Sequence, residues 1–214
     1  MDIAVEMMQT TASLIVNCSM NGKTPTELRE AVEKFSQCTV VPFRDINETY
    51  QIDKDIDAVV ISGSKARIVI PSEKALFENV SRLIKNCNLP ILGICYGHQL
   101  LCSAFDAKMK SLGHEVHCFE KVEVIETDGI FNGFKAGQSI PLSEHHNDYV
   151  SKESLETAGF TLLAKSNSCE VEAVKHGTKP FYGVQFHPER INIKGVSHAE
   201  GHKVIENFFR IVNR

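Results

Sequence analysis

From Ser13 onward, apolar residues come in two alternating forms: short continuous runs, and longer stretches in which they recur every three or four positions. Ser13–Cys18, Cys38–Pro42, Asp57–Ser62 and Pro90–Ile94 are runs of the first kind. A strand that is apolar at consecutive positions, without period-two alternation, is covered on both faces, which is the condition of strands in a parallel sheet. Helices should lie between them. Thr24, Pro25 and Glu27 form a capping-box pattern that predicts a helix running to about Phe35. Residues 72–86 place apolar side chains at 76, 80, 83 and 84, a helical spacing.

After about residue 107 the pattern changes to short segments between Gly, Asn and Asp clusters, at 116–126, 139–142, 160–165, 170–175 and 181–186. Several of these read as antiparallel partners. Ser197 and Glu200 suggest a second capping box, opening a helix whose Val204, Ile205, Phe208, Phe209 and Val212 would dock on the sheet. The prediction is an α/β fold with a mostly parallel central sheet, helices on both faces and a smaller antiparallel sheet. Residues 1–12 carry no clear period and read as an N-terminal extension to a single domain over 13–214.

With 214 residues, 43% of them hydrophobic, the chain has ample material for one core. A net charge of −4 and the lack of basic runs argue against a nucleic-acid partner. No apolar stretch approaches the ~20 residues needed to cross a bilayer, and the start lacks the basic and apolar regions of a secretion signal, so a cytoplasmic protein is expected. Seven cysteines without a Cys-x-x-Cys suit a reducing compartment, with most of them simple core or surface residues.

Cys95 is the exception. It ends the Pro90–Ile94 run, stands between Gly93 and Gly97, and is followed at once by a helical pattern. Those are the features of a nucleophile elbow: a strained strand-to-helix turn, glycines that allow close packing, and helix N–H groups that favour a thiolate. Among nine histidines His187 is the best proton shuttle, because it follows the strand 181–186 and would project beside the elbow. Glu189 could orient its second ring nitrogen. Ser62-Gly63-Ser64 ends the third strand; the N–H of Gly63 or Ser64, with that of Tyr96, would form an oxyanion hole, although an ordinary turn would look the same. His114/His117/Cys118, His145/His146 and His198/His202 match no zinc spacing, so no metal is expected. Neither phosphate-binding glycine motif is present.

Gly93-Ile-Cys95-Tyr-Gly97-His-Gln99 and Gly183-Val-Gln-Phe-His187-Pro-Glu189 resemble, in order and spacing, the two motifs of the class I (triad) glutamine amidotransferases. The resemblance implies a flavodoxin-like core and a Cys95–His187–Glu189 triad that hydrolyses glutamine. It also implies that Gln99, His146 and Asn147 hold the substrate. Ammonia would pass to a separate synthetase subunit, and any ATP and Mg would be bound there, with no cofactor in this chain. Cys95-Tyr-Gly97 and His145-His-Asn-Asp148 are most similar to the branch serving GMP synthetase. The alternatives are a γ-glutamyl peptidase or hydrolase with the same triad, an amidotransferase for another synthetase, or an idle regulatory relative. The chain departs from the family pattern at Gly63-Ser64-Lys65, where Gly-Gly-Pro is usual, and near Cys118-Phe-Glu-Lys121, where a Glu-aromatic-Gly signature is usual. It also lacks the frequent Asp-Asn start in the loop after the first strand. The first departure implies an oxyanion loop completed only when a partner binds.

Overall fold

Four apolar runs line up as parallel neighbours in a computed structural model that describes residues 11–213. They are β1 (Ala12–Asn17), β2 (Gln37–Pro42), β3 (Ala58–Ile61) and β4 (Ile91–Ile94), and β9 (Phe181–Val184) joins β4 in the same direction. The sheet then continues antiparallel through β8 (Ala173–His176), β7 (Phe160–Lys165), β5 (Met109–Val124) and β6 (Ser139–Val150). Its order is β2-β1-β3-β4-β9-β8-β7-β5-β6, and a small separate antiparallel ribbon pairs β10 (Asn192–Ile193) with β11 (Val196–Ser197). The expected α/β architecture is therefore present, with most antiparallel strands extending the main sheet.

Successive residues of the central strands enter different cores, which explains their unbroken apolar sequence. Leu14, Val16, Val59, Ile61 and Ile91 pack on one face, with α3 (Glu78–Asn86) and α4 (Tyr96–Ala104). Ile15, Ala58, Val60, Leu92 and Ile94 pack on the other, with α1 (Thr26–Val32) and α5 (Glu200–Val212). On α5, Val204, Ile205, Phe208 and Phe209 are buried as the spacing predicted, and Val212 packs at the margin. Burying side chains of this size contributes about 1.5–3 kcal/mol each, before conformational entropy is counted.

Three local expectations are corrected. Neither capping box forms: Pro25 itself occupies the N-cap of α1, while the Thr26 hydroxyl donates back to the Thr24 carbonyl at 3.4 Å. Ser197 lies in the ribbon, accepting from Asn192 Nδ2 at 3.0 Å, so Ala199 caps α5. The single helix over 72–86 is two, α2 (Pro71–Ala75) and α3, because the chain turns at Leu76–Phe77. That turn drives Phe77 into the core against Phe43 and Tyr96 and leaves Leu76 half exposed.

The extension expected over 1–12 falls largely outside the described residues. Of its last two positions, Thr11 is buried and hydrogen-bonded to Asn213, and Ala12 opens β1. Among the described residues, no helix is long and apolar enough to cross a membrane.

Candidate active site

Cys95 joins β4 to α4 with φ 51° and ψ −107°, a conformation that costs a non-glycine residue about 1–3 kcal/mol. The surroundings hold it there. Its N–H donates to Val184 O at 2.8 Å, and its carbonyl accepts the first α4 bond, from Gln99 N at 3.1 Å. The flanking glycines are required by contact: a Cβ on Gly93 would lie 2.6 Å from Gly97 O, and one on Gly97 would lie 2.2 Å from Ile61 O. Both distances are impossible for carbon against backbone, so β3, β4 and α4 meet this closely only with glycine present.

The strand ends converge where the sequence places the chemistry. His187 follows β9 and is anchored through its N–H to Ser143 O on β6, at 2.7 Å. Its Nδ1 donates to Glu189 Oε1 at 2.7 Å, and its Nε2 borders the same point above Gly63 as Cys95, 3.7 Å from an added Gly63 Cβ that would lie 3.5 Å from Cys95 Cβ. Burial alone would lower the imidazole pKa. The Glu189 carboxylate and the Cys95 sulfur outweigh that effect and raise it to about 10. Glu189 is held below the usual carboxylate range: burial opposes its charge, but the neighbouring His187 and Arg190 favour it more strongly. Arg190 also donates to His145 Nδ1 at 3.1 Å and pairs with Glu27 of α1 at 3.5 Å.

Gly63, on the loop after β3, faces this pair; an added Cβ would be 3.0 Å from His187 Cε1 and 3.5 Å from Cys95 Cβ. Ser64 follows it, and its hydroxyl accepts from Ala66 N at 3.1 Å, bracing the loop. Tyr96 is the first residue of α4, where backbone N–H groups have no partner within the helix. A cavity of about 640 Å³ opens over these groups, and its walls include all nine residues expected from sequence: Cys95, His187, Glu189, Gly63, Ser64, Tyr96, Gln99, His146 and Asn147.

Within that wall, the three residues expected to hold substrate differ in what they have left to offer. Gln99 is buried, and both Nε2 protons are committed, to Asp148 O at 2.7 Å and Gln185 Oε1 at 3.0 Å, so its carbonyl oxygen remains for a ligand. His146 is buried as well. Its Nδ1 donates to Asp148 O at 3.2 Å, and its Nε2 lies 3.4 Å from Glu144 Oε2. Burial pulls its pKa down, so the ring is neutral and this contact is not an ion pair at neutral pH. Asn147 is half-buried.

Sequence reasoning assigned no role to Gln185, Asp148 or Arg67. Gln185 is fully buried and directs Nε2 at Cys95 Sγ, 3.7 Å away, while the Cys95 thiol faces His145 O at 3.5 Å. A polar residue in the otherwise apolar run 181–186 was the available signal for Gln185. Beneath the site, Glu144, His146 and Glu172 are the one group among the described residues whose side chains could surround a metal ion. Glu144 and His146 share β6, but Glu172 lies just before β8 and distant in sequence, which is why no local spacing revealed the group. Burial raises the Glu144 carboxyl to about 8 and Glu172 well above the usual range.

Comparisons with known proteins show the family and the fold. Residues 21–212 match the family described as glutamine amidotransferase class-I. A glutamine-hydrolyzing GMP synthase subunit of Methanothermobacter thermautotrophicus is 41% identical over 134 residues, covering 62% of this chain and 66% of that relative. The protein of the same description from Methanocaldococcus jannaschii is 36% identical over 177 residues, 80% of this chain and 82% of its own. A crystal structure assigned to a GMP synthase subunit of Thermoplasma acidophilum superposes with a TM-score of 0.77 at 29% identity, covering 95% of this chain and 94% of that one. A glutamine amidotransferase from Thermotoga maritima, at 18% identity and a TM-score of 0.69, shares the fold; the match covers 84% of this chain and 76% of that one. The elbow, the paired imidazole and carboxylate, and a family match spanning nearly the whole chain lead to one assignment: the chain belongs to the class-I glutamine amidotransferases.

Proposed function

We propose that this chain is the glutaminase subunit of a GMP synthetase, with Cys95, His187 and Glu189 as its catalytic triad. The observation that carries the triad is the single imidazole held by Glu189, at 2.7 Å on Nδ1, with its Nε2 and Cys95 Cβ both within 4 Å of one point above Gly63. The Cys95 sulfur attacks the side-chain amide carbon of glutamine. The developing oxyanion lies toward the N–H groups of Gly63 or Ser64 and of Tyr96. His187 carries the proton; it protonates the amide nitrogen as the C–N bond breaks, releasing ammonia and leaving a γ-glutamyl thioester. A water molecule then gives a proton to His187 and its hydroxide displaces the sulfur, yielding glutamate and restoring the pair. Glu189 keeps the ring in the required tautomer and stabilises its charge.

Gln99 offers its carbonyl to the substrate, and His146 and Asn147 shape the wall opposite. The naming of the relatives as subunits of a synthase supports a separate synthetase partner. ATP and Mg would bind to that partner, and ammonia would pass to it within a cytoplasmic complex. Glutamate release, measured with glutamine and with γ-glutamyl peptides, with and without a GMP-forming synthetase, tests the reading. Glutamine turnover that rises with the synthetase is expected. Turnover confined to γ-glutamyl peptides would overturn it in favour of a γ-glutamyl hydrolase.

A further inference from the structure

We propose that Arg67 is a positioning residue that locks the oxyanion loop to the opposite wall of the cavity through Asp148. The inference rests on the oxyanion reading of Gly63 and Ser64 given above. Residues 62–70 connect β3 to α2 with no proline and glycine only at 63, so their conformation has to come from contacts. Ala66 and Ile68 insert into the core, while Arg67, between them, points across the cavity. Its Nε donates to Asp148 Oδ2 at 2.8 Å and a terminal nitrogen donates to Oδ1, a two-pronged pair that fixes direction as well as distance. The same nitrogen reaches Ser111 Oγ at 3.0 Å on β5, and the Arg67 backbone N–H is held by Glu73 Oε2 at 2.7 Å.

Asp148 is a junction. Its side chain is 2% exposed, against 32% for Arg67, so the pair is shielded on the carboxylate side. Its carbonyl accepts from Gln99 on the nucleophile's helix and from His146 on β6. One residue therefore ties together the oxyanion loop, α4 and β6, three of the segments that line the cavity around Cys95. The two Asp148 oxygens are both engaged by Arg67, which favours a positioning role over direct capture of the substrate's charged end.

The test uses the full chain together with a GMP-forming synthetase, which completes the loop, and the γ-aldehyde analogue of glutamine, whose adduct with Cys95 places an oxyanion in the hole. Wild type should bind it at least about 100-fold more tightly than glutamine, as expected of a transition-state mimic. Arg67→Ala should lose about 10- to 100-fold of that affinity, the scale of a misplacement of up to 1 Å. Alkylation of Cys95 by iodoacetamide, which needs no oxyanion hole, should stay within about twofold. Free guanidinium ion should restore aldehyde binding to Arg67→Ala, whereas Arg67→Lys, which keeps the charge but not the fork, should fall between the two. Full aldehyde affinity in Arg67→Ala or Arg67→Lys would overturn the lock while leaving the oxyanion reading intact. So would an equal loss of alkylation, or a rise confined to the KM for glutamine. An aldehyde bound no better than glutamine by wild type would instead remove the oxyanion reading itself.

Discussion

Replacing Gly63 by alanine should leave the protein folded and slow its chemistry. The backbone at Gly63 lies outside the left-handed region, so alanine is conformationally acceptable there, and the effect comes from space alone. The new methyl would sit 3.0 Å from His187 Cε1, against a comfortable carbon–carbon separation of about 3.5–4.0 Å. It would lie 3.5 Å from Cys95 Cβ, an ordinary contact, so the imidazole takes the strain. The ring is pinned by Glu189 at 2.7 Å and must move by about half an ångström, or the loop must withdraw by as much. A misplacement of about 1 Å costs about 100-fold in rate, so half that distance corresponds to roughly a tenfold fall in kcat, with KM little changed. The cost in stability should stay within the ~1–3 kcal/mol of a mild overpacking. Gly97→Ala provides the contrast, because its methyl would meet the Ile61 carbonyl at 2.2 Å, where no side-chain rotation gives relief; it should be destabilised far more than Gly63→Ala. Steady-state glutamate release and thermal unfolding of the two variants measure both quantities. Wild-type kcat in Gly63→Ala, or equal destabilisation of the two variants, would refute the argument.

Cys95→Ala should abolish glutamine hydrolysis and labelling by a diazoketone analogue of glutamine, whereas Cys102→Ala, which changes a fully buried core thiol, should abolish neither; mass spectrometry locating the label on another cysteine refutes the assignment. Glu189→Gln removes the carboxylate that raises His187 against its burial, so the imidazole pKa falls and the alkaline limb of the kcat profile moves to lower pH; a profile that keeps the wild-type limb counts against the pairing. Glu144 has its folded-state pKa raised from 4.5 to about 8, so the folded state holds the extra proton and stability declines as pH rises across that interval, by roughly 1.4 kcal/mol per unit. Glu144→Gln should flatten the dependence of Tm on pH between 5 and 8, and an unchanged slope would show that this carboxyl does not carry it.

The sequence alone determined the parallel core, because strands covered on both faces must be apolar at every position. The runs around Val16, Val60 and Leu92 could be read with no knowledge of their neighbours. The elbow's glycines at fixed offsets, Gly93 and Gly97, and the two-residue spacing of His187 and Glu189 were also legible in the sequence and pointed to the candidate triad. Local cues near helix ends were weaker: Thr24 and Ser197 lost their capping roles to the chain path imposed by Pro25 and the β10–β11 ribbon. Only the tertiary structure decided what touches across the sheet. Arg67 finds Asp148 eighty-one residues away, Gln185 meets Cys95 at a separation of ninety, and Glu144 on β6 closes on Glu172, just before β8. Contacts of that kind leave no periodicity in the chain. They arise when strands distant in sequence are packed side by side, and at the candidate site they decide how the oxyanion loop, the amide pair and the buried carboxyls are held.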